Sequence, residues 1–405
     1  MPREETPRYG LRRLVAGISV GLILLIGIGV PVSIVAPVPR ATAEVVTASQ
    51  SATEAAAPAF PSFGSSAVGV VGIDGVLAKH GPQSPRTIAS ITKVITALVV
   101  LEAKPLQAGE QGPTITFTQK DVAILGEVQA MNGSSEPVQA GWRVSERAAI
   151  ETMLIPSANN YAASLANWAY GSTPRFLTAA RAYLKAHGLD DTVLQDANGL
   201  SDSNRSTPED LVDLGRLALA NPVVAAAVKK STADEPNVGE LDNTNKLLGR
   251  YGVNGIKTGT YETGANLLFS AKVRVGARTV QVVGVVLGAR THEALDDRVP
   301  ALLKSVKRGL HDLSLATKGE AFATYRTKWG GVGKAVASRD VTRLVWGQAD
   351  LQQEAHVQPI TGGRKGERVG TVDVEVNGRT VTVPLVLDRD VLAAPVWWRL
   401  THPLR

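Results

Sequence analysis

Residues Thr87–Leu101 read TIASITKVITALVVL, and this stretch decides how the rest of the chain is interpreted. Apolar side chains recur along it at helical spacing, on one face of the expected helix. They are Ile91, Val94, Ile95, Leu98 and Val99. The other face is also apolar except for Lys93, the only ionisable residue of the stretch. We therefore expect a helix that is buried on nearly all sides, with one lysine inside.

Ser90 precedes Lys93 by three residues, so both side chains should lie on one side of a helical turn within hydrogen-bonding reach. Burial lowers the pKa of a lysine, because it penalises the charged form. A neutral amine beside a hydroxyl can take its proton, which a serine nucleophile without a histidine requires. Ser90 should also lie at the positive end of the helix dipole.

Two further motifs follow this pair. Ser157-Ala158-Asn159 closes one predicted helix and opens the next, and Lys257-Thr258-Gly259 lies beside apolar strands. By chance a chain of this composition should contain S-x-N about 0.7 times and K-T-G about 0.1 times. Each occurs once, and Ser90, Ser157 and Lys257 are separated by 67 and 100 residues.

In this order the three motifs resemble those of the penicillin-binding serine D,D-peptidases and the class A β-lactamases. Within that superfamily the context is similar to the low-molecular-mass D-alanyl-D-alanine carboxypeptidases of peptidase family S11. The similar segments are TIASITKVITALVVLE, LIPSANNYAASLA, DANGL (Asp196–Leu200), NTNKLL (Asn243–Leu248) and GIKTGT (Gly255–Thr260).

The resemblance implies that Ser90 is the acylated nucleophile and that Lys93 is the base that activates it. Ser157 would relay a proton to the leaving amine. The implied reaction removes the terminal D-alanine from peptidoglycan stem peptides that end in D-Ala-D-Ala. β-Lactams would act as inhibitors by acylating the same serine.

The resemblance also implies the substrate-binding residues. Asn159 would hold the substrate amide, and Lys257 with Thr258 would bind its terminal carboxylate. Gly259 lets the strand backbone approach the substrate, and the N–H groups of Ser90 and Thr260 would form an oxyanion hole. The residues after Thr260 depart from the family pattern, which leaves open what substrate groups are preferred at that end of the site.

Two other classes are alternatives. A class A β-lactamase carries a glutamate in an E-x-x-x-N loop between the second and third motifs, and the corresponding stretch here, DDTVLQDANGL, has none. A catalytically silent cell-wall binding protein would have no need of a buried lysine, which is costly when charged. The sequence does not distinguish a carboxypeptidase from an endopeptidase or a transpeptidase, which share the acyl-enzyme.

Composition excludes several other functions. The 405 residues contain no cysteine, which rules out disulfides, thiolate metal sites and a cysteine nucleophile. The six histidines show no metal-ligand spacing, so we predict neither a metal nor a cofactor. The net charge of +6 comes from the two ends of the chain, which argues against a nucleic-acid groove in its neutral middle.

Leu14–Val38 is a run of 25 residues without a charge, long enough to cross a bilayer. Arg12 and Arg13 precede it, so we expect residues 1–13 in the cytoplasm and the rest outside. The segment is either a single transmembrane anchor or a signal peptide cleaved at Ala41-Thr42-Ala43. Residues 39–64, rich in Ala, Ser, Thr and Pro, predict an unpacked spacer.

The remaining chain predicts an α+β fold followed by a small all-β domain. In residues 65–318 we expect an antiparallel sheet flanked by helices, with a hairpin at Asp74-Gly75 and strands on both sides of Gly276. Residues 319–405 alternate apolar and polar positions around Asn377-Gly378, typical of a half-buried hairpin. We expect Trp397-Trp398 to close a small core, with a membrane contact as the alternative.

Overall fold

The computed structural model describes residues 9–24, 27, 29–46, 49–50, 57–347 and 349–402. The chain divides into two compact units. The larger unit is Ala56–His311, and the smaller one joins the chain from Asp312 onward with the residues before it. The predicted boundary at residue 318 lies a few residues beyond this division.

The N-terminal part contains two helices, α1 (Tyr9–Leu24) and α2 (Val30–Val35), and two short strands, β1 (Ala43–Val45) and β2 (Ser49–Gln50). Of the predicted apolar segment, residues 14–24 lie in α1 and residues 30–35 form α2. Within the described ranges, no helix combines the length and the apolar character needed to span a membrane.

The larger unit begins with the strand β3. Its strands are β3 (Ser65–Val70), β4 (Ala78–His80), β5 (Arg86–Thr87), β6 (Thr114–Thr116), β7 (Arg143–Ser145), β8 (Arg205–Ser206), β9 (Thr232–Glu235), β10 (Gly239–Asp242), β11 (Val253–Tyr261), β12 (Gly264–Val275) and β13 (Arg278–Ala289). Its helices are α3 (Thr92–Ala103), α4 (Gln119–Ala130), α5 (Glu146–Leu154), α6 (Asn159–Tyr170), α7 (Thr173–Ala186), α8 (Pro208–Ala220), α9 (Pro222–Ala227) and α10 (His292–Gly309).

Five of these strands form an antiparallel sheet in the order β11-β12-β13-β3-β4. The predicted hairpin at Asp74-Gly75 and the strands on both sides of Gly276 are therefore confirmed. β13 is central because its apolar run is buried on both faces, and α8 packs against it while α10 packs against β12. β11 lies at an edge of the sheet, which leaves its outer side to the Ser90 segment.

Helix ends follow from local chemistry. The Ser145 hydroxyl accepts a hydrogen bond from the Ala148 N–H and begins α5, and Thr207 accepts one from Asp210 to begin α8. α3 is buried along Thr92–Leu101, as the apolar pattern on both of its faces indicated.

The smaller unit is mainly β-structure and ends in one short helix. Its elements are β14 (Leu310–Ala316), β15 (Ala321–Arg326), β16 (Val332–Ala337), β17 (Val341–Trp346), β18 (Leu351–Val357), β19 (Arg368–Val376), β20 (Arg379–Leu387) and α11 (Val396–Thr401). The predicted Asn377-Gly378 turn joins β19 to β20.

Residues from the predicted spacer complete this sheet. The strand order is β1-β15-β16-β20-β19-β18-β2, so β1 and β2 occupy its two edges. The expectation of an unpacked spacer is therefore wrong for residues 43–45 and 49–50, because their backbone groups pair with β15 and β18. Alternation could not reveal strands this short.

The tryptophan pair behaves differently from the expectation. Trp398 packs edge-on against Trp329, with ring centroids 5.4 Å apart. Trp397 is 74% exposed, so the prediction that both rings close a core is wrong for Trp397. α11 has no buried residue, because only part of its surface faces the rest of the unit.

Candidate active site

Ser90 lies in the middle of a 3-10 turn, Ala89–Ile91, that leads directly into α3. We call this the Ser90 turn. Its backbone is unusual, since Ala89 has φ +47°, in the left-handed region. Two glycines confine it: a methyl group on Gly199 would stand 2.1 Å from the Ala89 carbonyl oxygen, and one on Gly259 would stand 2.7 Å from the Ile88 carbonyl oxygen. The Ser90 turn is therefore tightly packed between the loop that contains Gly199 and the strand β11.

Lys93 is fully buried one turn into the helix. Its Nζ lies 2.8 Å from Ser90 Oγ, 2.5 Å from Asn159 Oδ1 and 2.7 Å from the Asn198 carbonyl oxygen. Two of these neighbours, the amide and carbonyl oxygens, can only accept. A neutral amine would give its two hydrogens to them and direct its lone pair at the Ser90 hydroxyl.

Electrostatics favour that neutral form. Burial holds the pKa of Lys93 well below its usual value, and the nearby positive charge of Lys257 lowers it further. The negative charge of Asp196 opposes both effects. A position 2.8 Å from Ser90 Oγ and a lowered pKa are what a general base for Ser90 would require.

The loop around Asp196 holds the Asn198 carbonyl in place. The Asp196 carboxylate accepts hydrogen bonds from the backbone N–H groups of Asn198, Gly199 and Ser201, at 2.6–3.0 Å. The buried Asn204 side chain donates to the same carboxylate at 2.7 Å. These bonds direct the Asn198 carbonyl at Lys93.

The second motif lies where α5 gives way to α6. Asn159 is the first residue of α6, and its backbone N–H donates to the Ser134 carbonyl at 2.8 Å. Ser157 lies in the preceding loop, 5% exposed, with φ +71°. Asn159 and Ser90 therefore both contact Lys93, and Ser157 precedes Asn159 by two residues.

The third motif forms a polar cluster on β11. Lys257 Nζ lies 3.3 Å from the hydroxyls of both Thr244 and Thr258, and those two hydroxyls lie 2.6 Å apart. We call these three residues the Lys257 cluster. Burial lowers the pKa of Lys257 to about 7. Among the described residues no carboxylate pairs with Lys257, and a protonated amine beside two aligned hydroxyls is suited to binding an anion.

Thr260 lies at the exposed end of the same strand. Its hydroxyl is 2.8 Å from His292 Nε2, at the start of α10. The structure thus brings the first two motifs together at Lys93 and sets the third against the Ser90 turn at Gly259.

Sequence reasoning did not assign roles to Asp196, Asn198, Thr244 or His292. The first three lie in the DANGL and NTNKLL segments, whose similarity to the family was the available signal. His292 had none, since it lies 32 residues beyond Thr260 and meets it only through the fold. Within the described residues no group of side chains suited to a metal is found.

Comparisons with known proteins agree with this geometry. The family model described as D-alanyl-D-alanine carboxypeptidase matches residues 67–291. The D-alanyl-D-alanine carboxypeptidase DacC of Escherichia coli is 28% identical, over 75% of this chain and 78% of that protein. A D-alanyl-D-alanine endopeptidase of Pseudomonas aeruginosa is 30% identical, over 62% of this chain and 78% of its own.

The fold has solved counterparts as well. The structure of a peptidoglycan synthesis regulatory factor (PBP3) from Streptococcus pneumoniae superposes with a TM-score of 0.60 at 21% identity, covering 81% of this chain and 98% of that one. The fold is that of penicillin-binding proteins. The chain belongs to the D-alanyl-D-alanine carboxypeptidase family, Peptidase_S11, and is a serine-type hydrolase. The resemblance found in the sequence is confirmed.

Proposed function

We propose that the protein removes the terminal D-alanine from peptidoglycan stem peptides through an acyl-enzyme on Ser90. One observation carries the proposal: the Lys93 amine lies 2.8 Å from Ser90 Oγ, while its two other contacts are acceptors. That arrangement prepares a proton transfer from the hydroxyl to the amine.

The first half of the reaction forms the acyl-enzyme. Lys93 takes the Ser90 proton as Oγ attacks the carbonyl carbon of the penultimate D-alanine. The C–N bond then breaks, and the leaving D-alanine nitrogen gains a proton that Ser157 relays from the Lys93 ammonium. In the second half, water loses a proton to Lys93 as it attacks the ester, the bond from the acyl carbon to Ser90 Oγ breaks, and Lys93 returns a proton to Oγ, which releases a stem peptide shorter by one residue.

Substrate binding is assigned to the groups around this pair. The ammonium of Lys257 and the hydroxyl of Thr258 hold the terminal carboxylate, and Asn159 holds a substrate amide. The N–H groups of Ser90 and Thr260 stabilise the oxyanion. The close approach of Gly259 to Ile88 supports the need for a glycine at this position, because any side chain there would displace the Ser90 turn.

The test uses the full chain in detergent, with Ser90→Ala beside it. Each is incubated with a penicillin and read by intact mass, and D-alanine release from a peptide ending in D-Ala-D-Ala is measured in parallel. We expect a long-lived adduct and D-alanine release on the parent and neither on Ser90→Ala. A folded parent that releases no D-alanine refutes the proposal.

One finding favours a second candidate. A relative that is 30% identical is named an endopeptidase, and the same acyl-enzyme can form on a cross-linked peptide. Incubation with a cross-linked stem-peptide dimer distinguishes the two, since an endopeptidase yields two monomers. Rapid turnover of a chromogenic cephalosporin would instead favour the β-lactamase alternative, and absence of both activity and adduct the silent wall-binding protein.

We also propose that residues 14–38 hold the protein at the cell membrane as a single-pass anchor, with residues 1–13 cytoplasmic and the catalytic part outside. Retention rather than cleavage after Ala43 is supported by Ala41, which lies before that site and pairs with Ile360. N-terminal mass analysis of protein from membranes and medium tests this, and a mature form beginning at Glu44 contradicts it.

A further inference from the structure

His292 stands next to the Lys257 cluster but belongs to none of the three motifs. It is the first residue of α10, and its ring is half-buried. Side chains alternate along a strand, so Thr258 and Thr260 project from the same face of β11, about 7 Å apart. The Thr260 hydroxyl therefore continues the polar row that begins at the Lys257 cluster, and His292 Nε2 holds it at 2.8 Å.

The protonation state of this ring nitrogen decides what Thr260 offers to a ligand. When Nε2 carries no proton it can only accept, so Thr260 must donate its single hydroxyl hydrogen to the ring. When Nε2 is protonated it donates to the Thr260 oxygen, and the hydroxyl hydrogen is free to bind an anion. A hydrogen bond to a charged group is stronger than one between neutral partners.

The surrounding charges set the balance between these states. Burial lowers the pKa of His292, and the positive charge of Lys257 on β11 lowers it further. Asp296 and Glu293, both on α10, raise it. The positive end of the α10 dipole acts in the same direction as Lys257. These effects favour the neutral ring, and in its tautomer with the hydrogen on Nδ1 the Nε2 atom accepts from Thr260 and gains a proton on acidification.

We propose that His292 is a positioning residue that, through Thr260, controls how strongly the site recognises the terminal carboxylate of its substrate. The inference rests on the proposed function and deepens it. A protonated ring adds a hydroxyl donor and a second positive charge to the Lys257 cluster, so preference for a free carboxylate over an uncharged end increases as the pH falls.

The experiment compares two substrates on the full chain between pH 5 and 8. One is a tripeptide ending in D-Ala-D-Ala with a free carboxylate, and the other is its C-terminal amide. Protonation of Lys93 affects both substrates equally, so it cancels in the ratio of their kcat/KM values. Titration of Lys257 near pH 7 remains in the ratio. The effect of His292 is a further increase of this ratio as the pH falls, which we expect to be about 10-fold.

The variants separate positioning from a structural role. His292→Gln cannot titrate and should lose the additional rise through KM, with kcat nearly unchanged. Thr260→Val should lose it as well, because it lacks the hydroxyl, whereas Thr260→Ser should keep it. His187→Gln makes the same change at an exposed position at the end of α7 and should match the wild type. A wild-type ratio profile in His292→Gln overturns the inference.

A second measurement does not depend on turnover. By linkage, a carboxylate that prefers the protonated ring must raise the pKa of His292 when it binds. The ring signal of His292 is followed by NMR in Ser90→Ala and is identified by its absence after His292→Gln. We expect this signal to titrate at higher pH with the free-acid tripeptide than with the amide. Equal titration refutes the inference even where D-alanine release is normal. Absence of D-alanine release in the wild type refutes only the proposed function.

Discussion

Thr244 and Thr258 lie on different segments of the chain, yet their hydroxyl oxygens are 2.6 Å apart and both face Lys257 Nζ. The hydrogen bond between the two hydroxyls fixes the orientation of the Thr258 side chain for binding a ligand. We predict that Thr244→Val raises KM for a D-Ala-D-Ala peptide about 10-fold with little change in kcat, because it removes an interaction made equally in ground and transition states. Thr244→Ser should keep the wild-type KM, and a matching increase in Thr244→Ser would count against the hydroxyl.

We expect the charge of Asp196 to set the pH below which kcat/KM falls. Its negative charge raises the pKa of Lys93, so its removal lowers that pKa further. Because Lys93 must be neutral to act as a base, we predict that Asp196→Asn moves the acid limb of the kcat/KM profile to lower pH. Asp202→Asn, in the same loop, is the control and should leave the limb in place. A shift of the limb to higher pH in Asp196→Asn would contradict this assignment.

Gly199 should be needed for its lack of a side chain more than for its backbone angle. A methyl group there would stand 2.1 Å from the Ala89 carbonyl oxygen, whereas one on Gly188 would meet nothing within 4 Å. Both glycines have positive φ, +85° and +68°, so Gly188→Ala controls for backbone strain. We predict that Gly199→Ala destabilises the protein by about 3 kcal/mol and Gly188→Ala by about 1 kcal/mol, measured by urea unfolding. Acylation by penicillin should slow only in Gly199→Ala.

Burial of Lys257 should cost stability in a pH-dependent way. Its folded-state pKa is about 7, below the unfolded value, so the cost is fully present below pH 7 and disappears as the pH rises through the unfolded value of about 10.4. We predict that Lys257→Met abolishes carboxylate recognition yet raises the free energy of unfolding by about 2–4 kcal/mol at pH 6. The gain should vanish near pH 10.5.

Calorimetry at several pH values measures this gain. The exposed Lys272, on the neighbouring strand β12, supplies the control, and Lys272→Met should change the unfolding temperature little at any pH. A gain in Lys257→Met that is constant with pH would show that packing rather than charge is responsible.

The sequence indicated some of this site and not the rest, for physical reasons. Ser90 and Lys93 were predictable because three residues of helix bring their side chains together, and α3 was predictable because it is apolar on both faces. The Asn198 carbonyl and Thr244 reach their partners over separations of 105 and 13 residues. Such contacts depend on tertiary packing, which no local pattern records, and β1 is too short for alternation to reveal it.

The placement of β1 and β2 has a consequence for biosynthesis. Both strands precede the larger unit, while the strands they join, β15 and β18, follow it. At about 5–20 residues per second, a ribosome takes on the order of tens of seconds to make the intervening chain. During that interval two short strands wait without partners, and the larger unit can fold before the smaller one is complete. β15 and β18, which are made later, therefore complete a sheet whose two edge strands were made earlier.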